Sequence, residues 1–186
     1  MSKIAIIRTS PHNGGNSNLL ADEFINGASK NNNEIIDINL NRFDVNYCLG
    51  CYGTLSKKAC TKTGFCYQKD DINELCDIIR QCDVLVFATP IYFYSVSGQM
   101  KVFLDRTVQL YGSTYSYKDI YLIATSESGL NSAMNGAIKT LEGWIACMPN
   151  TNLKGVVYGT GALEPKSIKN NNNAIIQAKE MGKNII

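Results

Sequence analysis

Short apolar runs alternate with amphipathic stretches along the whole chain. Ile4 to Arg8 is a β-branched run suited to a strand buried on both faces. Ser17 to Ala28 places Leu19, Leu20, Phe24 and Ile25 on one side of a helix, and Asn31-Asn32-Asn33 breaks the chain. Glu34 to Leu40 alternates as a second strand, and residues 41 to 69 then carry little periodicity. A helix starts at Asp70-Asp71, with acids placed to complement its positive end. It uses Ile72, Leu75, Ile78 and Ile79 and runs to about Gln81. Asp83 to Ala88 is the clearest central strand, followed by a helix from about Gly98 to Leu110. Ile120 to Thr125 predicts a fourth strand, Asn131 to Cys147 a helix, and Leu153 to Thr160 a fifth strand. The last helix is expected from about Glu164 to Met181, interrupted by Asn170 to Asn173.

Five β–α alternations in 186 residues imply one α/β domain, a doubly wound parallel sheet with helices on both faces. Five strands suit the flavodoxin-like order 2-1-3-4-5. Such sheets bind ligands off the carboxyl ends of the strands, where the strand order switches. The rule points at the loops after strands one, three and four.

Composition narrows the class of function. Apolar residues make up 45% and charged residues 18%, an ordinary globular balance. The net charge of +2 asks for neither nucleic acid nor an anionic membrane surface. No apolar run approaches the roughly 20 residues of a membrane-spanning helix, and the Ile4 to Ile7 stretch is too short for a signal-peptide core. Seven cysteines, an odd number, argue against a disulfide framework and for a reducing, cytoplasmic setting.

The first loop, Ser10-Pro11-His12-Asn13-Gly14-Gly15-Asn16-Ser17, is rich in hydroxyls, amides and glycines. At a helix start these suit a phosphate, held by backbone N–H groups, the Ser10 and Ser17 hydroxyls and the Asn16 amide. The same residues also suit a polar loop that merely caps a helix. Neither Gly-Lys-Ser/Thr nor Gly-x-Gly-x-x-Gly is present. The third-strand loop, Thr89-Pro90-Ile91-Tyr92-Phe93-Tyr94-Ser95, sets three consecutive aromatics beside a proline. A planar ligand against backbone N–H groups, packing at the sheet rim, and a dimer contact all fit it.

Taken together, these loops resemble the flavodoxin-like NADPH-dependent FMN reductase family, in the branch close to the iron–sulfur flavoproteins. The resemblance rests on Ser10-Pro11-His12 with Gly15-Asn16-Ser17, on Thr89-Pro90-Ile91-Tyr92, and on Lys101-Val102-Phe103-Leu104-Asp105-Arg106. Cys48, Cys51 and Cys66 before Asp70-Asp71 extend it. It implies noncovalent FMN, NAD(P)H as electron donor, a small-molecule electron acceptor such as a quinone or flavin, and a homodimer. Its implied phosphate contacts are Ser10, Asn16 and Ser17, with His12 and Asn18 beside them. Pro90, Ile91, Tyr92 and Phe93 would line the ring, and the loop carrying Ser126, Ser128 and Gly129 would approach it from the other side. Thr9 and His12 stand where the family usually has Gly and Arg, so phosphate binding is expected to rest on neutral donors and the helix end. No catalytic side chain is implied, because the flavin carries the chemistry. The alternative is a flavin, or flavin and iron–sulfur, electron carrier without nicotinamide turnover. Asp105 and Arg106 are expected to pair structurally at their helix end.

The relatives' cluster motif is Cys-x2-Cys-x2-Cys with a fourth Cys close behind. Here Cys48 and Cys51 are followed by Thr54 at the third position, then Cys60 and Cys66. That broken spacing favours structural or free thiols over a cluster or zinc. Cys76, Cys82 and Cys147 are expected in the core.

Overall fold

The computed structural model describes residues 1–51 and 57–186. Five parallel strands form one sheet in the order β2-β1-β3-β4-β5. They are β1 (Lys3–Arg8), β2 (Glu34–Asn39), β3 (Val84–Pro90), β4 (Asp119–Thr125) and β5 (Asn152–Gly159). The expected order and the α/β class are both observed. Side-chain alternation divides each inner strand between two cores. Ile4 and Ile6 of β1 face a cluster with Leu20 and Phe24, whereas Ala5 and Ile7 join Leu75, Ile79 and Phe103. Helices α1 (Asn16–Ala28) and α6 (Asn172–Lys183) cover the first face. Helices α3 (Ile72–Arg80), α4 (Gly98–Arg106) and α5 (Asn135–Ala146) cover the second. A single helical turn, α2 (Cys60–Thr63), lies in the stretch that shows no periodicity.

Several expectations need correction. The last helix starts at Asn172, not near Glu164; a loop and a 3₁₀ turn, Ser167–Asn170, precede it. Asn171 accepts the Ala174 N–H and caps the helix there, so the asparagine tract ends a loop and starts the helix rather than interrupting one. Asp70 and Asp71 do more than complement a dipole. Asp71 accepts the Asp44 N–H at 2.6 Å, and Asp70 pairs with Arg106 at 2.6 Å inside the protein. Asp105 and Arg106 therefore have different partners, since Asp105 bonds Lys101 on the exposed side of α4. Cys76 and Cys82 are buried, but Cys147 sits at the C-cap of α5 and is exposed. Burial pushes the Cys76 thiol up to about 12 and the Cys82 thiol up to about 11, so both stay protonated core groups.

Candidate functional site

The carboxyl ends of β1, β3, β4 and β5 meet around one cavity of about 500 Å³, a size ordinary for small-ligand pockets. Loop one forms its floor. Gly14 has φ +67°, the left-handed conformation that glycine adopts without steric cost, and turns the chain into α1. No side chain caps that helix: Gly15 holds the N-cap position without a side-chain bond. The polar-loop-as-cap reading therefore fails. The first turn keeps its free N–H groups and partial positive charge directed at the cavity floor. The Ser17 hydroxyl is 1% exposed and has no hydrogen-bond partner. A buried, unsatisfied donor beside free amide groups is chemistry that suits an anion.

Loop one is held in place by buried hydroxyls. The Ser97 Oγ lies 2.9 Å from the Thr9 carbonyl and accepts the Met100 N–H at 3.2 Å, capping α4. Thr9 donates to the Ala88 carbonyl, and Thr89 accepts the Ser97 N–H. Threonine at position 9 thus ties β1, β3 and α4 together, a job that glycine has no side chain to do. Arg8 is turned away from the cavity. Its guanidinium bonds Asp37, Asp22 and the Asn18 carbonyl, so its charge is neutralised behind the loop.

The third-strand loop is a tight turn. Tyr92 and Ser95 exchange both backbone hydrogen bonds, and Phe93 and Tyr94 between them have φ of 49° and 60°. Two positive φ values across such a bridge make a type I′ turn, whose usual residues are Asn-Gly. Aromatic side chains are strained there. The turn rests on the start of α5, where a Cβ on Gly136 would come within 2.1 Å of the Tyr94 carbonyl oxygen. The Ile91 and Tyr92 N–H groups bond Thr125 and Ser95. They are therefore not turned toward a ligand, contrary to the sequence expectation. Replacing Phe93-Tyr94 by Asn-Gly is expected to raise stability by about 1 kcal/mol. A urea titration checks this, and an unchanged midpoint would mean the turn carries no strain.

Sequence reasoning missed the cavity's fourth wall. Ala162, Leu163, Pro165 and Lys166, after β5, all line it. The Asn16 amide donates to the Ala162 and Glu164 carbonyls at 3.2 and 3.0 Å and accepts the Ile168 N–H at 3.2 Å. Asn16 is thus committed to holding this loop over the start of α1, and its side chain is not a free phosphate donor. Pro165, following Gly161, was the available signal that a helix could not run smoothly from Glu164.

Of the residues singled out from sequence, Ser10, His12, Asn16, Ser17, Pro90, Ile91, Tyr92 and Ser126 line this cavity. Asn18 is buried behind loop one, donating to the His12 carbonyl. Phe93 stands fully exposed at the turn tip. Ser128 and Gly129 lie outside the walls; Ser128 closes its own turn by accepting the Ser126 hydroxyl at its carbonyl and the Leu130 N–H at its Oγ.

Residues 2–155 match the family model described as NADPH-dependent FMN reductase. The chain belongs to the NADPH-dependent FMN reductase family. Two Archaeoglobus fulgidus proteins named iron-sulfur flavoprotein are relatives. One is 32% identical over 60% of this chain and 48% of its own length. The other is 28% identical over 99% of this chain and 94% of its own. The chain thus spans about half the length of the first relative. In fold, it superposes on NAD(P)H:quinone oxidoreductase from Methanothermobacter marburgensis with a TM-score of 0.73 at 16% identity, over 100% of this chain and 99% of that one.

Cys48, Cys51, Cys60 and Cys66 line a separate cavity of about 140 Å³. Thr54 lies outside the described residues. Among the described residues, no three His, Cys, Asp or Glu side chains are grouped to hold a metal ion. Cys48 and Cys51 are exposed, and the Cys66 Sγ accepts a hydrogen bond from Arg106 at 3.3 Å. Burial pushes the Cys60 thiol up, and neighbouring Cys66 adds to the effect. Cys60 therefore favours the protonated state.

Proposed function

We propose that the chain binds FMN in the cavity between loop one and the β5–α6 loop, and passes a hydride from NAD(P)H through it to a small acceptor. The observation that carries this reading is the uncapped start of α1 with the orphaned Ser17 hydroxyl beneath a cavity of ligand size. When bound, the flavin would supply hydride transfer at its ring nitrogen N5. The chain's part is to hold and orient it. The first-turn N–H groups and the Ser10 and Ser17 hydroxyls would grip the phosphate. Pro90, Ile91 and Tyr92 would wall the ring, with Ser126 on the opposite side. The cavity's openness beside Tyr92 would leave a ring face for donor and acceptor in turn.

Purified protein is expected to be yellow, with FMN released on denaturation; a colourless protein that takes up no added FMN sinks the reading. Stopped-flow mixing with NADH or NADPH separates the enzyme from an electron carrier, because only the enzyme bleaches the flavin at a catalytic rate. Iron and sulfide analysis of protein purified without oxygen separates bare thiols in the Cys48 to Cys66 loop from a cluster. The exposed Phe93 and Tyr94 at the tip of the third-strand turn support a homodimer, since exposed aromatic surface of this kind favours association. Sedimentation as a monomer at micromolar concentration would count against the dimer.

Ser17→Ala gives a sharper test. Its hydroxyl has no partner in the protein, so removing it leaves the stability of the flavin-free chain unchanged or slightly raised. FMN affinity is expected to fall about tenfold, the worth of one hydrogen bond to a charged group. Equal loss of folding stability would show that the hydroxyl serves the fold instead.

A further inference from the structure

Among the described residues, the loop-one floor of the cavity carries no lysine or arginine. Arg8, the nearest arginine in sequence, is locked behind loop one by Asp22 and Asp37. Among the described residues that line the cavity, Lys166 is the one permanent cation, set against His12 and Glu127. Among the described residues, Lys166 has no ion-pair partner, whereas Lys3, Lys101, Lys139, Lys154 and Lys183 each have one. Its backbone is held in the left-handed region, φ +66°, at the third position of a turn that follows Pro165 and that the Ser167 N–H closes onto the Glu164 carbonyl at 3.0 Å. That conformation is over-determined by the surroundings. Asn16, the first residue of α1, bonds the carbonyls of Ala162 and Glu164 on one side of Lys166 and the N–H of Ile168 on the other. Lys166 thus sits in a loop tied to the first residue of α1, on the wall of the same cavity that Asn16 and Ser17 line.

We propose that Lys166 supplies the positive charge that the flavin phosphate meets, delivered from the β5–α6 loop rather than from loop one. This rests on the flavin reading above. A phosphate dianion at a helix start gains hydrogen bonds from free N–H groups and a partial charge, but no full counter-charge. A lysine ammonium acts as a flexible point charge and needs no bidentate geometry, so it suits a site on a loop tip. Its position also explains why Asn16, an obvious donor in sequence, is used to anchor the loop. One amide holds the segment that brings in a whole charge.

Titrating flavin-free protein with FMN and with riboflavin, which lacks the phosphate, tests the assignment. Lys166→Gln is expected to weaken FMN binding about tenfold and leave riboflavin binding within about twofold. Lys166→Arg should restore most of the loss. FMN affinity of the wild type should also fall more steeply with salt than that of Lys166→Gln. Lys166→Gly relieves the backbone strain, so it separates charge from fold: it should be at least as stable as the wild type and still bind FMN poorly. Equal weakening of FMN and riboflavin would overturn the proposal in favour of loop packing, and unchanged FMN binding would overturn it outright. A changed KM for the nicotinamide donor with unchanged FMN affinity would assign the lysine to the donor and likewise overturn it. A wild type that binds neither flavin would fail the flavin reading itself, and the lysine assignment with it; failure in Lys166→Gln alone leaves that reading standing.

Discussion

Replacing Asp70 with alanine lowers the free energy of unfolding by about 3–5 kcal/mol, the cost of leaving one member of a buried ion pair without its partner. Both side chains of the Asp70–Arg106 pair are 1% exposed. Arg106 sends two bonds to the carboxylate, at 2.6 and 2.8 Å, and others to the Asn46 carbonyl and the Cys66 Sγ. Asp70 in turn accepts the Asn46 N–H. One pair thus fastens the 44–46 segment and the Cys66 end of the cysteine loop onto α4. Removing the carboxylate strands a guanidinium that cannot lose its proton. Replacing both residues by leucine and methionine should recover much of the loss, because the desolvation cost disappears along with the attraction. A double-mutant cycle by urea unfolding checks both numbers. A cost below about 1 kcal/mol for Asp70→Ala would place the pair among solvent-screened surface bridges.

The same pair sets an acid limit. Burial pushes the Asp70 carboxyl up, but the Arg106 hydrogen bonds, the Asn46 N–H and the Arg106 charge together hold it below the ordinary carboxylate value. With a depressed folded pKa, the unfolded chain takes up the proton first as pH falls. The pair's stabilisation is therefore complete above the ordinary carboxylate value of about 3.9 and drains away below it, as pH falls toward the folded one. The stability gap between wild type and Asp70→Asn should narrow as pH falls below about 4. A gap that stays constant would show that the carboxylate is not depressed.

Gly182→Ala is expected to destabilise the protein by about 2–3 kcal/mol, although alanine is the better helix former by about 1 kcal/mol. Helices α1 and α6 cross with their backbones in contact. A Cβ on Gly182 would lie 2.1 Å from the Phe24 carbonyl oxygen, and one on Gly27 would lie 2.0 Å from that of Lys179. Backbone cannot rotate aside as a side chain can, so the helices must separate and open the Leu20, Phe24 and Ala178 core. Because the proposed phosphate site lies at the start of α1, Gly182→Ala should also weaken FMN binding. Gly143→Ala in α5 is the control. Beyond its own turn of helix, no described atom lies within 4 Å of its Cβ position, so there propensity alone acts and stability should rise by about 0.5–1 kcal/mol. Equal effects at the two sites would deny the close crossing.

The α/β class, the strand order and the pairing of the loops after β1 and β3 were legible in the chain because they follow from short-range pattern. Double-sided apolar runs such as Ile4 to Ile7 and Val84 to Ala88 can only be interior parallel strands, and the alternation with helices leaves few topologies. That Ser10, Ser17 and Tyr92 line one cavity was legible too, since the carboxyl end of such a sheet is defined by its loops. What the pattern could not convey were relations between residues far apart in sequence. Nothing local tells Asn16 that its partners are Ala162, Glu164 and Ile168, nor Arg106 that it faces Asp70 and not Asp105. The uncapped start of α1 was also invisible, because serine and asparagine serve equally as caps and as phosphate donors. Packing decides which, by whether the hydroxyl finds a partner. The charge lining the cavity followed the same division. Loop one, read alone, offers only neutral donors, and Lys166 enters because α1 and the β5–α6 loop are brought side by side by a sheet whose first and fifth strands are separated by two others.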